Sequence, residues 1–250
     1  MLHNSVVIFT DGSSRGNPGP GGFGAIIIAP KNYEYGSKNY EVRELGGREE
    51  HTTNNRIELR AAIEALSFIH KSKIINPKSI SIYSDSRYLI NGITKWIHGW
   101  QKNGWKTKAK KDVENRDLWE KLADVSKDKG IQWKYVGGHV GVAGNARCDE
   151  IATAFANGKS VKLYSGVLLN YRIKNILDIS EDTEARGEKR EARQRSSAKA
   201  YSYVSLVNGR VETHQTWAEC EKRVKGKNAQ YKKTLTADEE RQLVQEWNKQ

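Results

Sequence analysis

The sequence predicts an α/β protein whose mixed sheet carries helices on its faces, followed by a smaller second α/β module. Apolar, β-branched runs come first as a meander over residues 6–46 and then alternate with helical patterns up to residue 157. The chain has 250 residues, which is long enough for one large core and a small additional one.

The first two predicted strands, 6–10 and 23–29, are joined by a segment rich in glycine and proline. Such a turn favours an antiparallel hairpin, and residues 40–46 can add a third strand. Gly19, Gly21 and Gly24 satisfy a GxGxxG pattern. A strand follows them rather than a helix, which excludes a dinucleotide-binding turn.

The remaining elements are predicted from the change between helical and alternating apolar spacing. Two more strands bring the predicted sheet to five, and helices separate and follow them. The strands are expected at 79–85 and 131–138, and the helices at 54–72, 86–97, 117–127 and 145–157.

The composition changes after residue 158. Residues 181–200 carry five acidic and six basic side chains and almost no large apolar residue, so they form a tether or an exposed helix without a core. Aromatic and apolar patterning returns after residue 200. The predicted organisation is a first domain at 1–158, a partly flexible connecting segment at 159–198 and a second domain at 199–250.

The charge of the chain indicates a polyanionic partner. The formal net charge is +12, and residues 95–111 hold six lysines and three tryptophans without an acid. No apolar run approaches the roughly 20 residues of a membrane helix, and the start lacks a secretory pattern. Cys148 and Cys220 are interpreted as reduced thiols. We expect a cytoplasmic monomer that makes no membrane contact.

Four carboxylates stand where burial is expected. Asp11 and Asp85 each end a predicted strand, where functional groups collect in open sheets. Glu58 heads the apolar stripe of its helix, and Asp149 falls in the first turn of the closing helix. Structural roles remain alternatives, since Asp11 can bond turn amides and Asp149 can stabilise a helix N-terminus.

Grouped carboxylates repel one another unless a cation lies between them. Ligand sets made only of oxygen favour Mg²⁺ or Mn²⁺ over zinc. Together with the basic, tryptophan-containing segment, they point to phosphodiester chemistry.

Four sequence blocks resemble type 1 ribonuclease H, in the order of that family. They read TDGSSRGNPGPGGFGAI, TTNNRIELRAAIEAL, YSDSRYLINGITKWIHGWQKNGWKT and GGHVGVAGNARCDEIA. The resemblance implies the family's mixed five-stranded sheet with flanking helices. It also implies hydrolysis of the RNA strand of RNA/DNA hybrids with two Mg²⁺ ions, or Mn²⁺ instead, leaving 5′-phosphate and 3′-hydroxyl ends.

The resemblance also assigns roles to single residues. Asp11, Glu58, Asp85 and Asp149 match the metal-binding, catalytic carboxylates. His139 matches a mobile catalytic histidine thought to help product leave or a proton move. Substrate contacts are implied for a larger set: Asn17, Thr53, Asn54, Asn55, Trp96, Trp100, Trp105 and Lys106.

Residues 201–247 are similar to the hybrid-binding, viroplasmin-like module of many eukaryotic type 1 enzymes. That module usually precedes the catalytic domain, whereas here it follows. The similarity implies that Trp217, Tyr231, Lys232 and Lys233 contact the RNA/DNA hybrid. Double-stranded RNA and protein are alternative ligands for this module.

Two other functions are weighed against ribonuclease activity. A non-catalytic protein that binds hybrids or double-stranded RNA would be expected to have lost a carboxylate, and none of the four is missing. Another nuclease of the same fold, such as an integrase or junction resolvase, is disfavoured by the NNRIEL block and by the tryptophan-lysine segment.

Overall fold

A computed structural model describes residues 5–30, 40–72, 79–127, 129–137, 141–179 and 199–248. The chain divides into two compact units, Met1–Gly187 and Glu188–Gln250. Across the described ranges, no helix combines the length and the apolar character needed to span a membrane.

The first unit is built on a six-stranded mixed sheet. Its strands are β1 (Ser5–Ser14), β2 (Gly19–Pro30), β3 (Tyr40–Thr52), β4 (Ser79–Ser84), β5 (Ile131–Tyr135) and β6 (Ser165–Val167). They lie in the order β5-β4-β1-β2-β3-β6, with β4 parallel to both β1 and β5 and the other pairs antiparallel. The predicted mixed α/β class is confirmed. The sheet has a sixth strand beyond the five predicted.

Helices cover both faces of this sheet. They are α1 (Asn54–Lys71), α2 (Arg87–Asn91), α3 (Ile97–Lys102), α4 (Arg116–Ser126) and α5 (Ala143–Ala156), with a π-helical turn at Gly92–Trp96 between α2 and α3. Gly92 is the first residue of that turn, and the ring of Trp119 packs against it. A Cβ on Gly92 would lie 2.0 Å from the Trp119 ring.

Alternate residues of β1 enter two separate cores. Val6 and Ile8 pack with α1 and α4, whereas Val7 and Phe9 pack on the side of α5. Side chains of a strand alternate between its two faces, so a sheet covered on both sides needs a continuous apolar run. This explains why four consecutive residues of β1, Val6 to Phe9, are apolar.

Helix α5 lies unusually close to β2. A Cβ on Gly24 would stand 2.3 Å from the carbonyl oxygen of Cys148, and one on Gly22 would stand 2.3 Å from that of Ala152. Only glycine permits this approach of a helix backbone to a strand. Because Gly24 pairs with Asp11 in the β1–β2 ladder, the contact brings the second turn of α5 close to Asp11.

The second unit is a small α/β module, as the sequence predicts. Its antiparallel sheet has the order β8-β7-β9, formed by β7 (Ser202–Val207), β8 (Arg210–His214) and β9 (Ala229–Thr234). Helices α6 (Trp217–Val224) and α7 (Ala237–Trp247) follow β8 and β9. Their N-caps are Thr216 and Thr236, whose hydroxyls each accept an N–H three residues on.

The first unit extends past the predicted boundary at residue 158. Residues 165–167 form β6, and Tyr171 and Ile176 are buried in the core on the α5 side of the sheet. The sequence places these residues in the connecting segment 159–198. Of the stretch predicted as a tether or an exposed helix, 181–200, residues 181–198 lie outside the described residues.

Candidate active site

Asp11 and Asp85 are brought together by the parallel pairing of β1 and β4. The last pair of this ladder joins Thr10 to Ser84, so the two aspartates are the next residue of each chain. The sequence predicts that Asp11 ends its strand. The strand continues past it, however, because pairing with β2 extends to Ser14. Its side chain is 8% exposed, and its Oδ1 accepts the Gly12 N–H at 2.7 Å.

Glu58 enters this site from the first turns of α1. Its Oε1 accepts the Asn54 side-chain N–H at 2.8 Å, and its Oε2 accepts the Ser86 hydroxyl. Ser86 is 4% exposed and also caps α2, since its hydroxyl accepts the Leu89 N–H at 3.1 Å. The side chain of Glu58 is therefore held between two helices.

Asp149 and Asn145 approach from α5. They lie one turn apart on the same face, and the Asn145 amide donates to Asp85 at 3.1 Å. The Thr153 hydroxyl donates to Asp149 at 3.3 Å. The expected place of Asp149 in the first helical turn is wrong, because α5 begins at Ala143 and Asp149 lies in its second turn. Helix-dipole stabilisation at the N-terminus is thereby excluded as its main role.

The four carboxylates interact electrostatically. Burial raises the pKa of Asp11 well above its usual value, and the charges of Asp85, Asp149 and Glu58 raise it further. Burial is also the main reason that the pKa of Glu58 rises to about 7, with Asp85 adding to it. The hydrogen bonds from Ser86 and Asn54 oppose that rise. The site thus gathers negative charge that is only partly compensated by hydrogen bonds.

The donor chemistry of this site fits a hard divalent cation. All four side chains offer carboxylate oxygens, the ligands that Mg²⁺ and Mn²⁺ prefer, and a cation would relieve the repulsion at buried Asp11. Among the described residues, however, no three His, Cys, Asp or Glu side chains already stand as a formed metal-binding group. The carboxylates are close enough to affect one another's charge, and their binding of a metal ion stays a prediction.

The predicted asparagines border the carboxylates at the start of α1. Thr53 is the N-cap of α1, and its hydroxyl accepts the Arg56 N–H at 3.4 Å. The Asn54 N–H donates to the Asn17 side chain at 3.2 Å, which ties the β1–β2 turn to the helix. Asn55 is the next helical residue and is partly buried. Their contact with substrate stays a prediction.

His139 lies outside the described residues. In the chain it lies between β5 and α5, the helix that carries Asp149. Its catalytic role stays a prediction.

The tryptophans of the basic segment differ in their surroundings. Trp96 is 39% exposed, whereas Trp100 and Trp105 pack against the core beside Trp119. The ring centroids of Trp96 and Trp100 lie 5.7 Å apart. Lys106 pairs with Asp112 at 2.5 Å across an exposed surface. Trp96 and the lysines of this segment are exposed to solvent.

A separate groove of about 610 Å³ lies in the second unit. Trp217 stands between Tyr203 and Tyr231, with ring centroids 5.6 Å and 5.2 Å away. Lys232 and Lys233 line the same groove. The structure therefore brings together all four residues that the sequence proposes for the second unit.

Ser86 and Asn145 were missed by the sequence reasoning. Both are buried polar residues that bond a site carboxylate, and the Asn145 Oδ1 has no hydrogen-bond partner within the described ranges. Their sequence positions relative to the predicted carboxylates could have indicated them. Asn145 stands four residues before Asp149 on one helix, and Ser86 directly follows Asp85.

The fold and the site together indicate a class of enzyme. A mixed sheet with carboxylates gathered beside its parallel strands, in a strongly basic chain, is typical of α/β enzymes that act on phosphodiesters.

The comparisons with known proteins narrow this class to a family. Residues 3–157 match the family model described as RNase H. A ribonuclease H from Thermosynechococcus vestitus is 48% identical over 156 residues, which is 62% of this chain and 91% of that protein. One from Bradyrhizobium sp. is 49% identical over 147 residues, covering 59% and 86%. The chain therefore belongs to the ribonuclease H family and is a nuclease.

A solved structure agrees with this assignment. LC9-RNase H1, a type 1 RNase H with the type 2 active-site motif, superposes with a TM-score of 0.56 and 29% identity. The match covers 72% of this chain and 83% of LC9-RNase H1. The solution structure of the PFV RNase H domain, at a TM-score of 0.50 and 23% identity, shares the fold.

Proposed function

We propose that the protein hydrolyses the RNA strand of RNA/DNA hybrids, leaving 5′-phosphate and 3′-hydroxyl ends. The observation that carries the proposal is buried Asp11, whose carboxylate is surrounded by Asp85, Asp149 and Glu58 in a chain of the ribonuclease H family. Four repelling carboxylates cost stability, so a structural role alone gives them no reason to be gathered here.

The residues of the site would have different roles in this reaction. Asp11, Glu58, Asp85 and Asp149 would together hold two Mg²⁺ ions. Bound Mg²⁺ supplies charge neutralisation at the scissile phosphate and Lewis acidity for water. Ser86 and Asn145 hold Glu58 and Asp85 in place through their hydrogen bonds.

Substrate recognition is assigned to the border of the site. The amide groups of Asn17, Asn54 and Asn55 are short enough to test for a 2′-hydroxyl beside the carboxylates, which is how a protein distinguishes RNA from DNA. The lysines beside Trp96 would contact phosphates without reading sequence.

The second unit is proposed to bind the same hybrid. Its groove places an aromatic triad beside lysines, an arrangement suited to stacking with phosphate contacts alongside. Double-stranded RNA is the competing ligand, and titrating both duplexes against the protein distinguishes them.

Asp85→Asn tests the catalytic proposal. The variant is expected to lose cleavage of an end-labelled RNA/DNA hybrid by about 10³-fold or more, since it removes a ligand charge from the reacting centre. Hybrid affinity should stay within about twofold, because phosphate contacts made elsewhere supply it. Asp124→Asn, an exposed aspartate on α4, is the matched control and should cleave as wild type does.

Three results would contradict this proposal. Wild-type rates in Asp85→Asn would remove the carboxylate from the mechanism, and undiminished cleavage in excess chelator would remove the metal. A wild-type protein that binds the hybrid without cutting it, with Mg²⁺ or Mn²⁺ present, would favour the non-catalytic alternative.

A further inference from the structure

The folded first unit continues beyond residue 157, where the match to the family model ends. β6 pairs with Glu41–Arg43 of β3, and the N–H of Glu44 donates to the carbonyl oxygen of Tyr164 at 2.8 Å. Tyr171 is completely buried and Ile176 is 2% exposed. We call residues 159–179 the C-terminal extension, and it contributes both a strand and core side chains to this unit.

The extension meets α5 at the buried carboxylate of Glu44. From α5, Arg147 donates to it from Nε at 2.8 Å and from Nη2 at 2.9 Å. From the extension, the Tyr171 hydroxyl donates at 2.7 Å and the Tyr164 N–H at 2.9 Å. Of the hydrogen bonds that described residues make to this carboxylate, half therefore come from the extension.

This ion pair depends on its hydrogen bonds. Glu44 is 2% exposed and Arg147 is 7% exposed, so neither charge is solvated by bulk water. Burial alone would raise the pKa of Glu44, but the bonds from Arg147, Tyr171 and Tyr164 outweigh it and hold the pKa below its usual value. A buried ion pair becomes costly when one of its donors is removed.

Arg147 lies on α5 between two residues of the site. Asn145, which bonds Asp85, comes two positions earlier, and Asp149 comes two positions later. Two positions along a helix turn the side chain by about 200°, so Arg147 leaves the helix on the side away from the other two. The hydrogen bonds between Arg147 and Glu44 therefore hold α5 on the side opposite to Asn145 and Asp149.

We propose that the C-terminal extension fixes α5 through Tyr171 and Glu44, and that Tyr171 is a positioning residue for Asp149 and Asn145. Tyr171 touches no reacting atom, and its hydroxyl affects the rate only through the position of α5. This inference rests on the proposed hybrid cleavage for its effect on rate.

Tyr171→Phe in the full-length chain tests the inference, because it removes one hydroxyl and keeps the buried ring. Tyr164→Phe is the matched control, since the Tyr164 hydroxyl donates to the Val167 carbonyl rather than to Glu44. Without metal or substrate, amides of α5 are expected to exchange hydrogen about tenfold faster in Tyr171→Phe, and at the wild-type rate in the control.

The rate of hybrid cleavage gives the second readout. Well below the melting temperature, Tyr171→Phe should lower kcat about tenfold with KM within about twofold of wild type, since the hybrid-binding surface is untouched. Tyr164→Phe should change neither constant.

Two outcomes would overturn the inference: wild-type exchange of α5 in Tyr171→Phe, or a lower melting temperature with unchanged kcat. Failure of the proposed function is distinguishable from both. It would show as absence of hybrid cleavage by the wild-type protein, and hydrogen exchange would still decide whether the extension holds α5.

Discussion

At the residue scale, Asp11 and Glu58 make the charge of the site sensitive to pH. Both carboxylates have a folded-state pKa above the unfolded value, chiefly because they are buried. The folded protein therefore holds their protons more tightly than the unfolded chain does. The stability from Glu58 is fully present below its unfolded pKa of about 4.5 and is lost as the pH rises through its folded pKa of about 7. Asp11 acts in the same direction.

Glu58→Gln should consequently stabilise the metal-free protein at pH 8 but much less at pH 5. The expected gain at pH 8 is roughly 2 kcal/mol, because the amide avoids ionisation in a buried place. Chemical denaturation of both proteins in chelator, at several pH values between 5 and 8, measures the difference.

Glu64→Gln is the control on the same helix. Glu64 pairs with Arg60 at 3.1 Å on a partly exposed surface, and its replacement should give no pH-dependent gain. Mg²⁺ at pH 8 should then raise the melting temperature of the wild type more than that of Glu58→Gln. Equal stabilisation of both by Mg²⁺ would contradict the assignment of Glu58 as a ligand.

At the scale of elements, the contact of α5 with β2 determines how the site is assembled. The glycines of β2 let the helix backbone approach the strand, and that approach brings Asp149 to the level of Asp11. The contact is between backbones, so it cannot be relaxed by choosing another side-chain rotamer.

Gly24→Ala should therefore destabilise the protein by at least about 2 kcal/mol, because the new methyl group would meet the Cys148 carbonyl at 2.3 Å. Gly99→Ala is the matched control. Gly99 lies exposed in α3 with nothing within 4 Å of a built Cβ, so alanine should stabilise by about 0.5–1 kcal/mol. Denaturant midpoints compare the two, and equal midpoints would refute the close contact.

The elements differ in how much of them the sequence could predict. The β1–β2 hairpin carries its own signals, an apolar run on each side of a glycine-rich turn. The start of α5 carries none, because its N-cap is Val142, which makes no side-chain capping bond. The predicted start at Asn145 is consequently two residues late.

The tryptophan segment shows a second limit of local patterns. The π-helical turn Gly92–Trp96 inserts an extra residue into a helical turn, which shifts the faces of the residues that follow. An ideal helical period cannot tell which ring faces out. Of the three predicted contact residues, Trp96 is exposed, while Trp100 and Trp105 pack on the core.

At the scale of the whole molecule, each of the two units has a surface with aromatic and basic side chains. They are the segment with Trp96 in the first unit and the groove with Trp217 in the second. When two weak sites act on one long duplex, binding of the first raises the effective concentration for the second. The second unit should therefore matter most for long hybrids at low protein concentration.

Trp217→Ala should weaken binding of a long hybrid by about tenfold, the usual loss when one stacking platform is removed. At saturating substrate, kcat should not change, because the carboxylate site lies in the first unit. Tyr201→Ala removes a 49% exposed aromatic outside the groove and should bind normally. Filter-binding titrations give the affinities, and an unchanged affinity for Trp217→Ala would remove the groove from substrate binding.

Domain organisation was predictable from composition only in part. The charged stretch 181–200 marks the division of the chain, and the structure places the division at Gly187. The C-terminal extension escaped prediction because its strand has three residues and its partner, β3, lies more than a hundred positions earlier. Its main polar contact, Glu44 with Tyr171, is likewise formed only in the folded unit.

The shortness of β6 has a consequence for self-association. Among the described residues of this edge, β6 pairs with Glu41–Arg43 of a β3 strand that is 13 residues long. Farther along, Arg48 pairs with Glu50 at 2.8 Å and Glu49 with Arg60 at 3.5 Å. Charged side chains along an edge strand disfavour its pairing with a strand of another molecule. Concentrated solutions should accordingly resist fibrillar polymerisation along this border.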